Sequence, residues 1–205
     1  MLSANNNIGN VWSPIMLRLF ADLGFRWKIA LPILLLAGLL VLIGSLGVQG
    51  IGQVADSSTR LTNRYLPAIS LLLNADRDLY QAFVAERSLL DEAAGEFAQS
   101  LRDSHAENLQ QAYERVHKYA DMQPGAEAKA LVAKFDAGFA QWKSTSDKVL
   151  ALTESDPAAA SALSYGDSEA QFEAMRDAID KLGEMEDNEA NAEGKAAMAL
   201  GEERS

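Results

Sequence analysis

The sequence predicts an all-α protein in which one transmembrane helix is followed by an up-down-up-down antiparallel four-helix bundle. Residues 29–48 carry no formal charge. A helix of that length, at about 1.5 Å per residue, matches the roughly 30 Å hydrocarbon core of a bilayer. After it, apolar residues recur every three or four positions in four segments separated by turn-forming residues, as in amphipathic helices. Strand signals are missing from the sequence, so no sheet is predicted.

The apolar segment 29–48 is interpreted as an uncleaved membrane anchor. The alternatives are a buried core helix and the apolar part of a cleaved signal peptide. A signal peptide's apolar region is usually about 7–15 residues long and ends at a small-x-small cleavage site. The segment here is longer, and residues 44–47, GSLG, match such a site only loosely. Both alternatives therefore fit less well than an anchor.

The distribution of charge predicts how this anchor is oriented. Residues 1–28 carry three cationic side chains and one carboxylate, a net charge of +2, so the rest of the chain carries −13 of the total of −11. Because a basic flank tends to remain in the cytoplasm, residues 1–28 are predicted to be a cytoplasmic tail. Residues 49–205 are then predicted to form a periplasmic domain, tethered to the inner membrane of a bacterium by a single span.

Composition excludes several classes of function. The chain has no cysteine, which excludes disulfides and thiolate metal sites. Its acidity, with a pI near 4.6, argues against a nucleic-acid partner. No nucleophile elbow, phosphate-binding glycine loop or HExxH motif occurs, so we predict no enzymatic activity and no cofactor.

Glu114 and His117 have the spacing used in di-iron bundles, but the motif has no second copy. Both histidines, His105 and His117, are therefore assigned to a solvated surface, and no metal site is predicted.

Four bundle helices are predicted from the apolar periodicity. They span residues 53–90, with Pro67 bending or interrupting the helix, then 96–122, 126–153 and 169–200. A short alanine-rich helix at 158–163 precedes a predicted corner at 165–168, where Ser168 and Gln171 suggest a capping box. The aromatic side chains of Phe135, Phe139 and Trp142 have the spacing of core residues.

Three stretches resemble bacterial methyl-accepting chemotaxis receptors with a four-helix-bundle ligand-binding domain. Residues 64–90, RYLPAISLLLNADRDLYQAFVAERSLL, resemble the first sensor helix of that family, while 107–116, ENLQQAYERV, and 164–176 resemble the second and fourth helices. In layout the resemblance covers residues 27–205. It implies a homodimeric receptor that senses a small molecule outside the cell and passes a piston-like helix displacement inward. Such receptors continue into a second span and a cytoplasmic signalling region, so we expect this chain to be an anchored sensor fragment.

The resemblance also implies where a ligand binds. Receptors of this type hold ligand near the distal end, between two copies of the first helix and beside the fourth. The expected contacts are Arg77, Tyr80 and Arg87 of the first helix and Arg176 of the fourth, with Asn74 and Gln81 as orienting groups. Counting residues from Val48 upward and from Ser205 downward places Arg77 and Arg176 at the same level. Because guanidinium groups recognise carboxylates and phosphates by forked hydrogen bonds, a carboxylate, amino acid or phosphate-like ligand is expected.

Alternative interpretations remain open for the residues and for the function. Arg77 and Asp78 also fit a solvated pair that interacts only locally. Arg87 lies on the apolar stripe, four residues after Phe83 and three before Leu90, so its charge needs a partner, an interface or a ligand. Besides a chemoreceptor sensor, the chain fits a membrane-anchored structural or protein-interaction module, or the sensor domain of a histidine kinase.

Overall fold

Almost all of the described chain is helical. The computed structural model describes residues 24–123 and 125–202, and within these ranges it contains no strand. The α-helices of this part of the chain are α1 (Phe25–Arg60), α2 (Leu66–Ser88), α3 (Ala98–Met122), α4 (Ala126–Leu152), α5 (Pro157–Leu163) and α6 (Glu169–Glu202). A first π-helical segment (Leu61–Tyr65) joins α1 to α2, a second (Ser164–Ser168) joins α5 to α6, and a 3₁₀-helix (Glu92–Phe97) precedes α3. The predicted all-α fold class is confirmed.

The chain divides after Gln53 into two compact units. In the first unit, α1 is long and apolar enough to cross a membrane, and no residue of its most apolar stretch is buried. The core-helix alternative for this segment is therefore wrong. Helix α1 begins at Phe25, so the helix already includes the last residues of the predicted tail. The rest of that tail, residues 1–23, lies outside the described residues.

The second unit is a bundle of four long helical segments. The first runs from the end of α1 through α2, the second and third are α3 and α4, and the fourth is α5 continued by α6. Helix α2 packs against α3 and α6, and α4 packs against α6, α5 and α3. The largest fully buried apolar side chains are those of Leu79, Val116, Tyr119, Phe135, Trp142, Val149, Phe172, Met175 and Leu182. The prediction that Phe135, Phe139 and Trp142 are core residues is confirmed.

Alanines occupy the deepest positions of α2. Ala68, Ala75 and Ala82 are spaced seven residues apart and have no exposed surface, and Ala112 on α3 is equally buried. Side chains this small allow helix backbones to approach closely. The stripe predicted from large residues was only partly correct, because Phe83 is half-buried while the alanines beside it are completely enclosed.

The first π-helical segment agrees with the sequence prediction, and the second does not. Pro67 lies in the first turn of α2, directly after the first π-helical segment. A proline lacks the N–H group and crowds the preceding turn, so the predicted local break is confirmed. The corner predicted at 165–168 is wrong, because the helix continues through the second π-helical segment into α6. The capping box is also wrong, since the Ser168 hydroxyl bonds to Glu86.

Candidate functional site

A groove of about 470 Å³ lies between α2 and α3 and is called the α2–α3 groove below. Helix α2 supplies Arg77, Tyr80 and Gln81 to its lining, which are half of the residues that the sequence predicted for a ligand site. Helix α3 supplies Leu101, Ser104 and Asn108, none of which was predicted. Spacings of three and four residues place such side chains on one face of a helix, so the lining residues of each helix share one face of it.

Excess positive charge lies beside this groove. Asp78 is completely buried and pairs with two guanidinium groups, those of Arg77 and Arg115. The Arg77 Nε and Nη2 atoms donate to Asp78 Oδ1 at 3.1 and 2.8 Å, while 53% of the Arg77 side chain remains exposed. The solvated alternative for Asp78 is therefore wrong. Two cations share one carboxylate, and a buried carboxylate needs such partners. The two guanidinium groups together therefore carry one more unit of charge than Asp78 neutralises.

Arg176 connects α6 to α2 at the level that residue counting predicted for it. Its Nε and Nη2 atoms donate to the two carboxylate oxygens of Asp76 at 2.6 and 3.2 Å, and its Nη1 atom donates to the Tyr80 hydroxyl at 3.0 Å. The guanidinium also lies 4.2 Å from the centroid of the Tyr80 ring. The hydrogen bonds that Arg176 donates to Asp76 raise the pKa of Arg176. Arg176 therefore orients Tyr80, whose ring lines the groove, and does not itself line the groove.

Arg87 has a protein partner at the distal end of α2. Its Nη2 atom donates to the Ser164 carbonyl and to Glu169 Oε2, both at 3.1 Å. Its guanidinium lies over the rings of Phe83 and Tyr165, with 4.6 and 3.7 Å to the centroids. The sequence left a partner, an interface or a ligand open for this charge. The structure shows a protein partner, Glu169. Its Nε atom is buried without a hydrogen-bond partner.

The two orienting amides have different surroundings. Asn74 donates from Nδ2 to the carbonyl of Ser70 at 2.7 Å, one turn earlier on its own helix. Gln81 is exposed and lines the α2–α3 groove. On the facing helix, Asn108 donates to the Ser104 carbonyl at 2.8 Å, which leaves its amide oxygen as an acceptor. Gln81 and Asn108 are thus the amides present at the groove itself.

A buried carboxylate that the sequence reading missed lies under the second π-helical segment. Glu86 has no exposed surface and accepts hydrogen bonds from Ser164 at 2.6 Å and from Ser168 at 3.0 Å. Ser168 in turn accepts a hydrogen bond from the Trp142 indole at 3.1 Å. Glu86 lies seven residues after Leu79, on the buried face, so its burial was visible in the spacing. Its partners were not, because they belong to a distant segment.

The two histidines differ from each other. His105 is only 2% exposed, and its Nε2 atom is 2.8 Å from the Ser146 hydroxyl. Burial disfavours the charged imidazolium and lowers the pKa of His105 to about 4. The prediction of a solvated His105 is therefore wrong. His117 is half-exposed and contacts Asp136 Oδ1 at 2.9 Å, in agreement with its predicted surface position.

A third buried carboxylate, Glu186, joins α6 to α3. The Tyr119 hydroxyl donates to Glu186 Oε1 at 2.8 Å, and Glu186 Oε2 is buried without a partner. Burial raises the pKa values of both groups, because each charged form would lose its hydration. Glu186 therefore favours its protonated form more than an exposed glutamate does.

Comparison with known families agrees with this architecture. A family described as a four helix bundle sensory module for signal transduction matches residues 22–200. The chain belongs to this family. The family is the sensory module of methyl-accepting chemotaxis proteins, so the resemblance seen in the sequence is confirmed. It is a signalling family and not an enzyme family. No curated protein matches the chain.

Proposed function

We propose that this sensory module binds a small anion in the α2–α3 groove, at an interface between two copies of the chain. In this proposal α1 anchors the module in the bacterial inner membrane, with the bundle in the periplasm, and the signal passes through the membrane for chemotaxis. One observation gives the main support for the proposal. The groove residues Arg77 and Tyr80 also lie on an exposed stripe of α2 that has the spacing of a coiled-coil contact.

That stripe, called the α2 seam below, runs along the face of α2 turned away from the core. Its residues are separated alternately by four and three positions: Leu66, Ser70, Leu73, Arg77, Tyr80 and Val84. The four apolar or aromatic side chains among them are 41–67% exposed. Alternating steps of four and three are the spacing by which two helices form a coiled coil. Exposed apolar stripes of this kind commonly mark protein interfaces.

Dimerisation through the α2 seam explains why an anion would change the packing. A two-fold axis along the seam brings Arg77 of both copies to one level, where their charges repel. A carboxylate or phosphate bound there removes this repulsion through charge-assisted hydrogen bonds, and Tyr80, Gln81 and Asn108 offer further polar contacts. The ligand therefore favours one arrangement of the two α2 helices over the other, which is the differential affinity that a sensor needs.

A thermal-shift screen of the full chain in lipid nanodiscs tests anion binding. The compounds are organic acids, amino acids and inorganic phosphate. We expect one class to raise the melting temperature of the bundle, since a ligand at 100 times its Kd stabilises by about 2.7 kcal/mol. Arg77→Gln should abolish the shift. Arg102→Gln, which also loses an ion pair but lies outside the groove, should retain it. No stabilising compound, or an equal shift in both variants, would contradict the proposal.

Cysteine crosslinking tests the dimer. Because the chain has no cysteine, single introduced residues report only their own contacts. Leu73→Cys lies on the seam and should give disulfide-linked dimers on mild oxidation in nanodiscs. Ala133→Cys, an exposed position on α4, is the matched control and should stay monomeric. Equal crosslinking of the two variants would show that the α2 seam is not the interface.

A further inference from the structure

A second cavity, of about 250 Å³, lies between α3 and α4 and is called the α3–α4 cavity. It shares no lining residue with the α2–α3 groove. Helix α3 lines it with His105, Ala106 and Tyr113, among others, and α4 lines it with Phe139, Lys143 and Asp147. The proposed anion site and dimer seam leave this cavity without a role.

Aromatic side chains form one wall of the cavity. The rings of Tyr113 and Phe139 have centroids 5.2 Å apart and are tilted by 40°. Leu109, which is almost fully buried, also contributes to the lining. A third ring placed against such a pair gains edge and face contacts in addition to the burial of apolar surface. The wall therefore favours a flat, aromatic occupant.

The polar groups of the cavity carry no net charge. Burial keeps His105 as a neutral imidazole at pH 7, since its pKa is about 4. Lys143 Nζ donates to Asp147 Oδ2 at 2.7 Å, and both side chains are about half exposed. A charged ligand would add an uncompensated charge beside this neutral pair, whereas a hydroxyl group can bond to its carboxylate and adds none. The electrostatics therefore favour an uncharged ligand.

Volume limits the size of the ligand. An engineered apolar cavity of about 150 Å³ is known to hold benzene. At about 250 Å³, the α3–α4 cavity has room for one ring with a small substituent. From its wall, charge and volume we propose that this cavity is a second ligand site, which binds an uncharged single-ring aromatic molecule carrying a hydroxyl group. Phenol is the simplest probe of that class.

Titration of the full chain in nanodiscs with phenol tests the proposal. The sequence has two histidines, so imidazole ¹H–¹³C NMR signals can be assigned to His105 and His117 by mutation. We expect a saturable shift of the His105 signal. Ala106→Phe should abolish it, because this exposed alanine lines the cavity and a larger side chain there fills the space without entering the core. Ala133→Phe, exposed on α4 outside the cavity, should retain it.

Both variants are measured in nanodiscs of the same lipid, so partitioning of phenol into the membrane affects them equally. A shift that does not saturate, or that is the same in both variants, would overturn the second site. Benzoate tests the class of ligand and should bind at least about tenfold more weakly than phenol. Equal binding of benzoate would overturn the preference for an uncharged molecule. The anion-induced thermal shift should be unchanged in Ala106→Phe, so the failure of one site is distinguishable from failure of the other.

Discussion

The first bundle segment makes two contacts of opposite character. It packs most extensively against α3, and its side chains with no exposed surface include alanines, of which Ala75 is the central one. Its contact with α6 includes a series of ion pairs along most of the length of the bundle: Arg60–Glu193, Arg64–Glu189, Asp76–Arg176 and Arg87–Glu169. Close-packed small side chains fix one register of two helices. Long, partly exposed ion pairs tolerate small displacements and contribute little to stability.

This difference indicates which contact can move in a sensor. A shift of α2 against α3 would force alanine-packed backbones apart, so we expect the two helices to move together. A shift against α6 requires guanidinium groups to follow their carboxylates and the ring of Phe172 to move against those of Tyr80 and Phe83. In the proposed sensor, we therefore expect ligand binding to change the contact of α2 with α6 before the contact of α2 with α3.

Overpacking the alanine contact should have the largest effect. Ala75→Leu adds three carbon atoms where no space is free, which we expect to cost about 3 kcal/mol. For a domain of this size that corresponds to a fall of roughly 10 °C in the melting temperature, measured by circular dichroism in nanodiscs. Ala133→Leu, at an exposed site on α4, should change it little. Similar melting temperatures for the two variants would show that the α2–α3 contact is not closely packed.

Breaking the buried polar cluster at the distal end should have the next largest effect. Ser168→Ala removes hydrogen bonds to Glu86 and from Trp142, so a fully buried carboxylate loses one partner and a buried indole N–H loses its acceptor. We expect a loss of about 2 kcal/mol, or roughly 5 °C. Ser144→Ala, an exposed serine on α4, is the matched control. If the Ser168 variant melts like the control, the cluster does not hold the second π-helical segment in place.

Part of this arrangement could be predicted from the sequence, and part could not. Apolar periodicity predicted four helices, and the start of α6 at Glu169 and the end of α3 at Met122 were correct. The regular rise of a helix was enough to bring Arg176 level with Tyr80. Hydropathy gives weight to large side chains, so the apolar stripe predicted for α2 omitted the alanines that are buried deepest there. The α3 side of the groove, from Leu101 to Asn108, depends on which helices are neighbours in the bundle, and the spacing within one helix does not determine this.

The contact of α6 with α3, which includes Tyr119 and Glu186, should respond to pH, while the alanine contact should not. Burial raises the pKa of Glu186, so the native state holds its proton more tightly than the unfolded chain does. Its contribution to stability is therefore complete below the ordinary glutamate pKa and is lost as pH rises through the higher native value. Glu186→Gln should raise the melting temperature at pH 8 relative to wild type and change it less at pH 4. An equal effect at both pH values would show that Glu186 does not titrate in this range.

The smallest effect is expected at the end of the ion-pair series. Hydrogen bonds from Arg60 and Ser57 lower the pKa of Glu193, so its contribution is present above the ordinary glutamate pKa and is lost as pH falls. This direction is opposite to that of Glu186 on the same helix. Because the pair is solvated, Glu193→Gln should barely change the melting temperature. It should instead remove the acid-induced increase in hydrogen exchange near residue 193, which Glu184→Gln should leave intact. If Glu193→Gln strongly destabilises the bundle at neutral pH, the ion pairs are not the weak contact, and α6 is held as firmly as α3.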